Sequence, residues 1–293
     1  MSLINHSDGL FLAAHTACVW EAIARKIGNV HRYSDFADVS LTDFMLSAGG
    51  LASAMQKGQP VGLAVLAAIN NRTYLCRTNT NLGMALLLAP LARVPLSETT
   101  RGGIAGVLNG LTLWDSVSVY AAIRRAMPGG LGDSPEQDVR NAPTLPLKDI
   151  MKLAADRDMV ARQYTNGFAD VFDFGVPAFL EAFQQFGCVE AAIIDSQLRW
   201  LAQYPDSLIA RKNGIAVAED VQKRAAQVIQ HGGIATPEGR AAGVALDQHL
   251  RSDGNKLNPG TTADLITACL FVALRENKVT PSAPFRWQVS DWL

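Results

Sequence analysis

Apolar residues recur along this chain at helical spacing and almost never alternate. In 10–25, Leu12, Thr16, Val19, Trp20 and Ile23 fall on one face, and Gly28 follows as a stop. Further helices are predicted over 41–56, 60–71, 81–92, 99–109, 113–126, 148–165, 176–186, 188–203, 217–231, 236–251 and 261–276. Many are rich in Ala, Leu and Gln, with Gly or Pro between them. The stretch VGLAVLAAI (61–69) is apolar enough for a buried strand, but its alanines favour a buried helix. The pattern predicts an all-α fold, a single compact multi-helix bundle spanning 1–293. One irregular stretch, MPGGLGDSPEQDVRNAPTLPL (127–147), interrupts it. Its PGG and GLG joints, with three prolines between them and Leu147, suit a lid that orders over bound substrate.

Composition narrows the function classes. Nearly half of the 293 residues are apolar, enough for a sizeable core. Net charge is −1 with mixed signs, which gives no electrostatic footprint for nucleic acid. Four scattered cysteines form no CxxC and five histidines form no HxxxH pair, so a zinc site is not expected. The opening residues lack a signal-peptide pattern, and LGMALLLAPLA (82–92) is too short to span a bilayer. A cytoplasmic protein acting off the membrane is the expectation; oligomeric state is not legible.

No GxxxxGK[ST], no GxGxxG after a strand and no GxSxG is present. Polar clusters instead stand at predicted helix ends. RKIGNVHRYSDF (25–36) sets Lys26 and Arg32 around Gly28-Asn29. RTNTNLG (77–83) puts Asn79 and Thr80 before an apolar helix, and Gly83 in its first turn lets something approach closely. AADRDMVARQYTNGF (154–168) reads as an Asp158–Arg162 pair one turn apart on a solvated face. DSLIARKNG (206–214) carries Asp206 and the adjacent cations Arg211 and Lys212. NPGTTADL (258–265) has Thr261 three residues before Asp264, the spacing of a capping box. A helix start also offers free N–H groups to phosphate. Asp264 there would repel a bare phosphate, so Mg²⁺ bridging carboxylate and phosphate oxygens is the better fit.

The order KxGNV, NTNxG and NPGTTADL over roughly 20–275 resembles the triphosphoribosyl-dephospho-CoA synthases. That family is all-α. The resemblance implies transfer of the 5-triphosphoribosyl group of ATP to a ribose hydroxyl of 3′-dephospho-CoA, with release of adenine. It implies Mg²⁺ as cofactor and ATP and 3′-dephospho-CoA as small-molecule partners. The citrate and malonate type usually has Pro where Ile27 stands, and His-Lys where Asn81-Leu82 stand; its KGxGGxRGE stretch is missing. PGGLG, DVRNAP and the clusters at 154–168 and 206–214 look like homologues found beside tetrahydromethanopterin-linked one-carbon genes. A pterin or furan acceptor is one alternative, and a non-catalytic nucleotide-binding protein is another. On this reading Lys26, Arg32, Arg211 and Lys212 clamp phosphate. Asp264 and Asp206 hold the metal or act as base and stabiliser. Asn29, Asn79, Thr80, Asn258, Thr261 and Thr262 hold ribose and phosphate oxygens.

Overall fold

The computed structural model describes residues 6–56, 58–129, 132 and 134–293. Among them are fourteen α-helices and no strand. In order they are α1 (His6–Ile23), α2 (Leu41–Gln56), α3 (Val61–Leu75), α4 (Leu82–Arg93), α5 (Thr100–Asn109), α6 (Leu113–Ala126) and α7 (Leu147–Ala154). There follow α8 (Met159–Asn166), α9 (Val176–Phe186), α10 (Val189–Gln203), α11 (Ser207–Asn213), α12 (Ile215–Gln230), α13 (Pro237–Arg251) and α14 (Gly260–Arg275). The all-α expectation holds, including a helix over the Ala-rich 61–69. No described helix is long and apolar enough to cross a membrane.

α14 is the central element. Every one of its residues is buried except Gly260, Asp264 and Arg275. It packs against α1, α4, α9 and α10, so a single run of small and branched apolar side chains serves four neighbours. α2, α3 and α6 join the same apolar cluster by packing on α1, α4 and one another. A second apolar cluster, from α10, α12, α13 and Trp292, adjoins it through Phe186. All four cysteines are buried and free, which suits them to the role of small hydrophobes.

Two differences from the predicted elements bear on the site. The helix predicted over 148–165 is broken: α7 ends at Ala154 and α8 starts at Met159. Asp158 causes the break, because its Oδ1 accepts from Val160 N and Ala161 N and caps a new helix. Asp158 therefore pairs with Arg211 and not with Arg162, whose partner is Asp170 at 2.9 Å. α11 was also absent from the predicted elements; at seven residues it is too short for periodicity to show.

A buried ion cluster fixes the turn after α1. Glu190 at the start of α10 is fully buried and accepts from Arg25 Nε at 3.0 Å, Arg32 Nη2 at 3.0 Å and Trp287 N at 2.9 Å. Arg25 also donates to the carbonyls of Trp287, Val289 and Trp292, so the C-terminal stretch is laced to this turn. Although burial opposes ionisation, the two guanidiniums hold the Glu190 carboxyl below its usual range. A depressed folded-state pKa gives stability that is complete above the unfolded value of 4.5 and drains away as pH falls below it. Glu190→Gln should thus cost about 3–5 kcal/mol at neutral pH, since it strands two buried cations. Urea midpoints taken from pH 7 down to about 3 should fall below pH 4.5 for the wild type and change less there for the mutant.

Candidate functional site

The helix ends that carry the polar clusters meet around one cavity of about 550 Å³. The start of α14 meets the start of α4 through Asp264 and Gly83. A Cβ on Gly83 would lie 1.9 Å from Asp264 Oδ2, so the missing side chain is what admits the carboxylate. The close approach expected at Gly83 is therefore made by a residue of this chain. Asp264 makes no hydrogen bond among the described residues. Burial, with Glu21 and Asp206 near by, pushes its carboxyl well above the usual range.

The capping-box reading of NPGTTADL is overturned. α14 begins at Gly260 with Pro259 as its cap, which puts Asp264 beyond the first turn, and neither Thr261 nor Asp264 caps it. The cap comes from elsewhere in the chain. Asp206 Oδ1 accepts from Leu208 N and Ile209 N and starts α11, while Oδ2 accepts from Thr262 N and Thr262 Oγ1, both at 2.8 Å. One carboxylate thus caps two helices and ties their N-termini together.

That arrangement sorts the predicted residues. Lys26, Asn29, Asn79, Thr80, Arg211, Lys212, Asn258, Thr261 and Asp264 line the cavity. Asp206 and Thr262 do not. Both Asp206 oxygens are occupied by the two caps, so its assignment as metal ligand or base gives way to that of a clasp. Arg32 is likewise placed elsewhere, on Glu190 and over the Tyr33 ring at 4.7 Å. Lys26 lines the wall but is not a free clamp. Its ammonium pairs with Glu21 Oε1 at 3.1 Å and donates to the carbonyls of Glu21 and Val30. Burial pulls its pKa down.

The remaining lining residues are anchored to one another. Asn29 Nδ2 donates to the Pro259 carbonyl at 3.2 Å, joining the KIGNV turn to NPGTTADL. Lys212 Nζ bonds Asn258 Oδ1 at 3.0 Å, and burial lowers its pKa. Arg211 pairs with Asp158. Thr80 Oγ1 donates to Ser47 Oγ at 2.8 Å, and Asn79 Oδ1 accepts from Leu82 N at 3.3 Å. Asn81 and Leu82, the positions that replace His-Lys, are both buried in the wall.

Sequence reasoning missed Glu21, Arg157, Asp158 and Asp138 as cavity residues. Glu21 had a signal: it is the one acid within the apolar stretch FLAAHTACVWEAIA of α1. Asp158 had been assigned to a local pair. The described part of 127–147 forms one side of the cavity, held to α6 by Tyr120 on the Gln137 carbonyl and by Arg124 on the Val139 carbonyl at 2.7 Å. Gly130, Leu131 and Asp133, within the segment read as a lid, lie outside the described residues.

Among the described lining residues six are acids (Glu21, Asp38, Glu136, Asp138, Asp158, Asp264) and four are cations (Lys26, Arg157, Arg211, Lys212). Arg157 and Lys212 make no ion pair among the described residues. Fold and cavity thus define an all-α protein whose helix ends converge on one acid-rich, cation-bearing pocket. The chain belongs to the ATP:dephospho-CoA triphosphoribosyl transferase family, whose model matches residues 8–282.

Individual relatives agree. A Pseudomonas putida protein named for 2-(5''-triphosphoribosyl)-3'-dephosphocoenzyme-A synthase activity is 33% identical over 110 residues, 38% of this chain and 39% of that protein. A like-named protein of Pseudomonas syringae pv. syringae is 31% identical over 134 residues, 43% of this chain and 45% of that one. The matched stretch therefore spans less than half of each of these curated relatives. A crystal structure from Archaeoglobus fulgidus, titled as a triphosphoribosyl-dephospho-CoA synthase, superposes with a TM-score of 0.61 at 27% identity. It covers 78% of this chain and 97% of that one.

Gly83→Ala tests the contact between the two motifs. Ala suits a helix, and the clashing atom is the tip of a side chain, so the fold should survive. The displaced Asp264 should weaken Mg-ATP binding by about tenfold or more, a loss of about 1.4 kcal/mol. Circular dichroism and calorimetry on the same sample would read both.

Proposed function

We propose that this protein transfers the 5-triphosphoribosyl group of ATP to a ribose hydroxyl of 3′-dephospho-CoA and releases adenine. The observation that carries the reading is a pocket with more carboxylates than cations, built from the motifs that mark the family. Two polyanionic substrates would be poorly served by such a pocket unless its negative groups had work of their own. Breaking an N-glycosidic bond builds positive charge on the ribose carbon, and fixed carboxylates stabilise that charge as it forms. The hydroxyl proton lost by the acceptor balances the proton gained by departing adenine, so the transfer releases no net proton.

Among the described residues no three His, Cys, Asp or Glu side chains form a metal site, so Mg²⁺ would rest on Asp264 together with substrate phosphate oxygens. Asp264 is a buried-side carboxylate with no hydrogen-bond partner, beside further acids, the sort of group a divalent cation neutralises. Asp264 would hold the ion, which when bound screens the triphosphate from the acids. Arg211, Lys212 and Arg157 reach phosphate oxygens from α11 and from the break before α8. Asn29, Asn79, Asn258 and Thr261 supply neutral polar groups for ribose and phosphate. Glu21, paired with Lys26 at 3.1 Å, adds an acid to the wall; burial pushes its carboxyl up and Lys26 offsets part of that.

Incubation with Mg-ATP and 3′-dephospho-CoA should release adenine, read by chromatography, in step with the joined product. Tight binding of both nucleotides without adenine would refute the transfer. Asp264→Asn should keep the fold and lose Mg²⁺-dependent ATP binding; calorimetry matching the wild type would remove Asp264 from the metal site. Gln at both 211 and 212 should weaken ATP far more than adenosine, whereas equal losses would make the pair structural.

A further inference from the structure

Arg72, in the last turn of α3, is 2% exposed and has no carboxylate partner among the described residues. Its Nη1 donates to the carbonyls of Thr78 at 3.0 Å and Arg77 at 3.3 Å, while Nε and Nη2 are buried and donate to nothing. A buried cation left like this is costly, and burial does pull its pKa down, with Arg125 adding to the effect.

The guanidinium aims at the RTNTNLG turn, and the turn is unfinished in the same way. Thr78 Oγ1 and Asn81 Oδ1 are buried without a hydrogen-bond partner, and both residues line the cavity. Every peptide bond described is trans, so a carbonyl and the following N–H point in opposite directions. With the carbonyls of residues 77 and 78 drawn toward Arg72, the N–H groups of Thr78 and Asn79 point away from it. None of the N–H groups of residues 78–81 donates a hydrogen bond among the described residues, nor do those of Gly83 and Met84 at the start of α4. Asn81, the α4 cap, makes no side-chain capping bond. A 12-residue helix therefore has its positive end at the cavity, flanked by free N–H groups, backed by an unneutralised guanidinium and met at Gly83 by the Asp264 carboxyl, so that a phosphate there shares the end with Asp264.

We propose that residues 78–84, with Arg72 behind them, form a polyphosphate subsite on the α4 side of Asp264, separate from Arg211 and Lys212 on the α11 side. It rests on the proposed function only in taking a nucleotide as ligand. Two anion-binding ends facing one carboxylate match a reaction that joins two phosphorylated nucleotides. Arg72 orients the turn and supplies charge from behind it, and the turn's N–H groups touch the phosphate.

Inorganic tripolyphosphate, ATP and 3′-dephospho-CoA would be titrated separately by calorimetry, with Mg²⁺, into wild type, Arg72→Gln, Arg72→Lys and Thr78→Val, with adenosine as the uncharged control. Arg72→Gln should lose about tenfold or more for tripolyphosphate and for whichever nucleotide uses the subsite, with adenosine unchanged and Arg72→Lys largely restored. Loss confined to ATP places its triphosphate there; loss confined to dephospho-CoA places its diphosphate there. Thr78→Val, which leaves the guanidinium in place, should show the same selectivity at smaller amplitude and serves if Arg72→Gln does not fold. Unchanged affinity for all three phosphates, no binding of tripolyphosphate by wild type, or an equal loss for adenosine would overturn the subsite. Arg72-dependent binding without adenine release would leave the subsite standing and remove the transfer.

Discussion

The cavity depends on one carboxylate that never faces it. Asp206 accepts four hydrogen bonds, two from α11 and two from Thr262, so the first turns of α11 and α14 are held as a unit. Arg211 and Lys212 ride on one of those helices and Thr261 and Asp264 on the other. Burial holds the Asp206 carboxyl above its usual range, and its four donors offset only part of that rise. The clasp also explains how Pro259 can stand at a helix start without a conventional side-chain cap. The Thr262 N–H left over by the local sequence is met from 56 residues away.

Polar side chains around the pocket are largely engaged with one another, and their bonds run between motifs distant in sequence. Asn29 reaches Pro259, Lys212 reaches Asn255 and Asn258, Arg211 reaches Asp158, and Asn255 reaches Asp38. Such a wall is stiff, because each ligand-facing group is also a strut. The groups left unpaired lie together: Asp264, Thr261, and the Thr78 hydroxyl and backbone N–H groups of the turn before α4, whose other polar atoms are anchored. Rigid surroundings with a small set of unpaired groups are what a site needs if it is to hold two substrates in a fixed relative pose.

The fold class was legible because helical periodicity is a local property, and thirteen buried positions in α14 leave a long apolar record. The motifs that meet at the cavity were legible for a related reason. Gly83, Asn79 and Asp264 are poor choices for an apolar helix start unless something requires them. Roles were less legible than positions. Asp206, Arg32 and Lys26 carry the right charge in the right motif, yet each is consumed by a partner that sequence does not show: Thr262, Glu190 and Glu21 respectively. Asp158 was misassigned because an Arg stood one turn away, while its true partner stands 53 residues on. Glu21 escaped notice because a single charge inside an apolar helix forms no motif, and Arg72 because it falls just past the helix predicted over 60–71.

The lacing of the C-terminal stretch onto Arg25 has a consequence for the birth of the molecule. Arg25 and Trp292, its farthest partner, are 267 positions apart. At about 5–20 residues per second a ribosome needs tens of seconds to travel between them. Throughout that time α1 and its turn exist without the carbonyls of residues 287, 289 and 292 that complete the Arg25 shell, and without the Trp292 indole that donates to the Arg25 carbonyl. The turn that brings Asn29 to the pocket is thus among the last parts to be secured, although it is among the first to be made. A nascent chain can assemble α1–α4 early, but it gains a finished pocket only after residue 292 has left the ribosome.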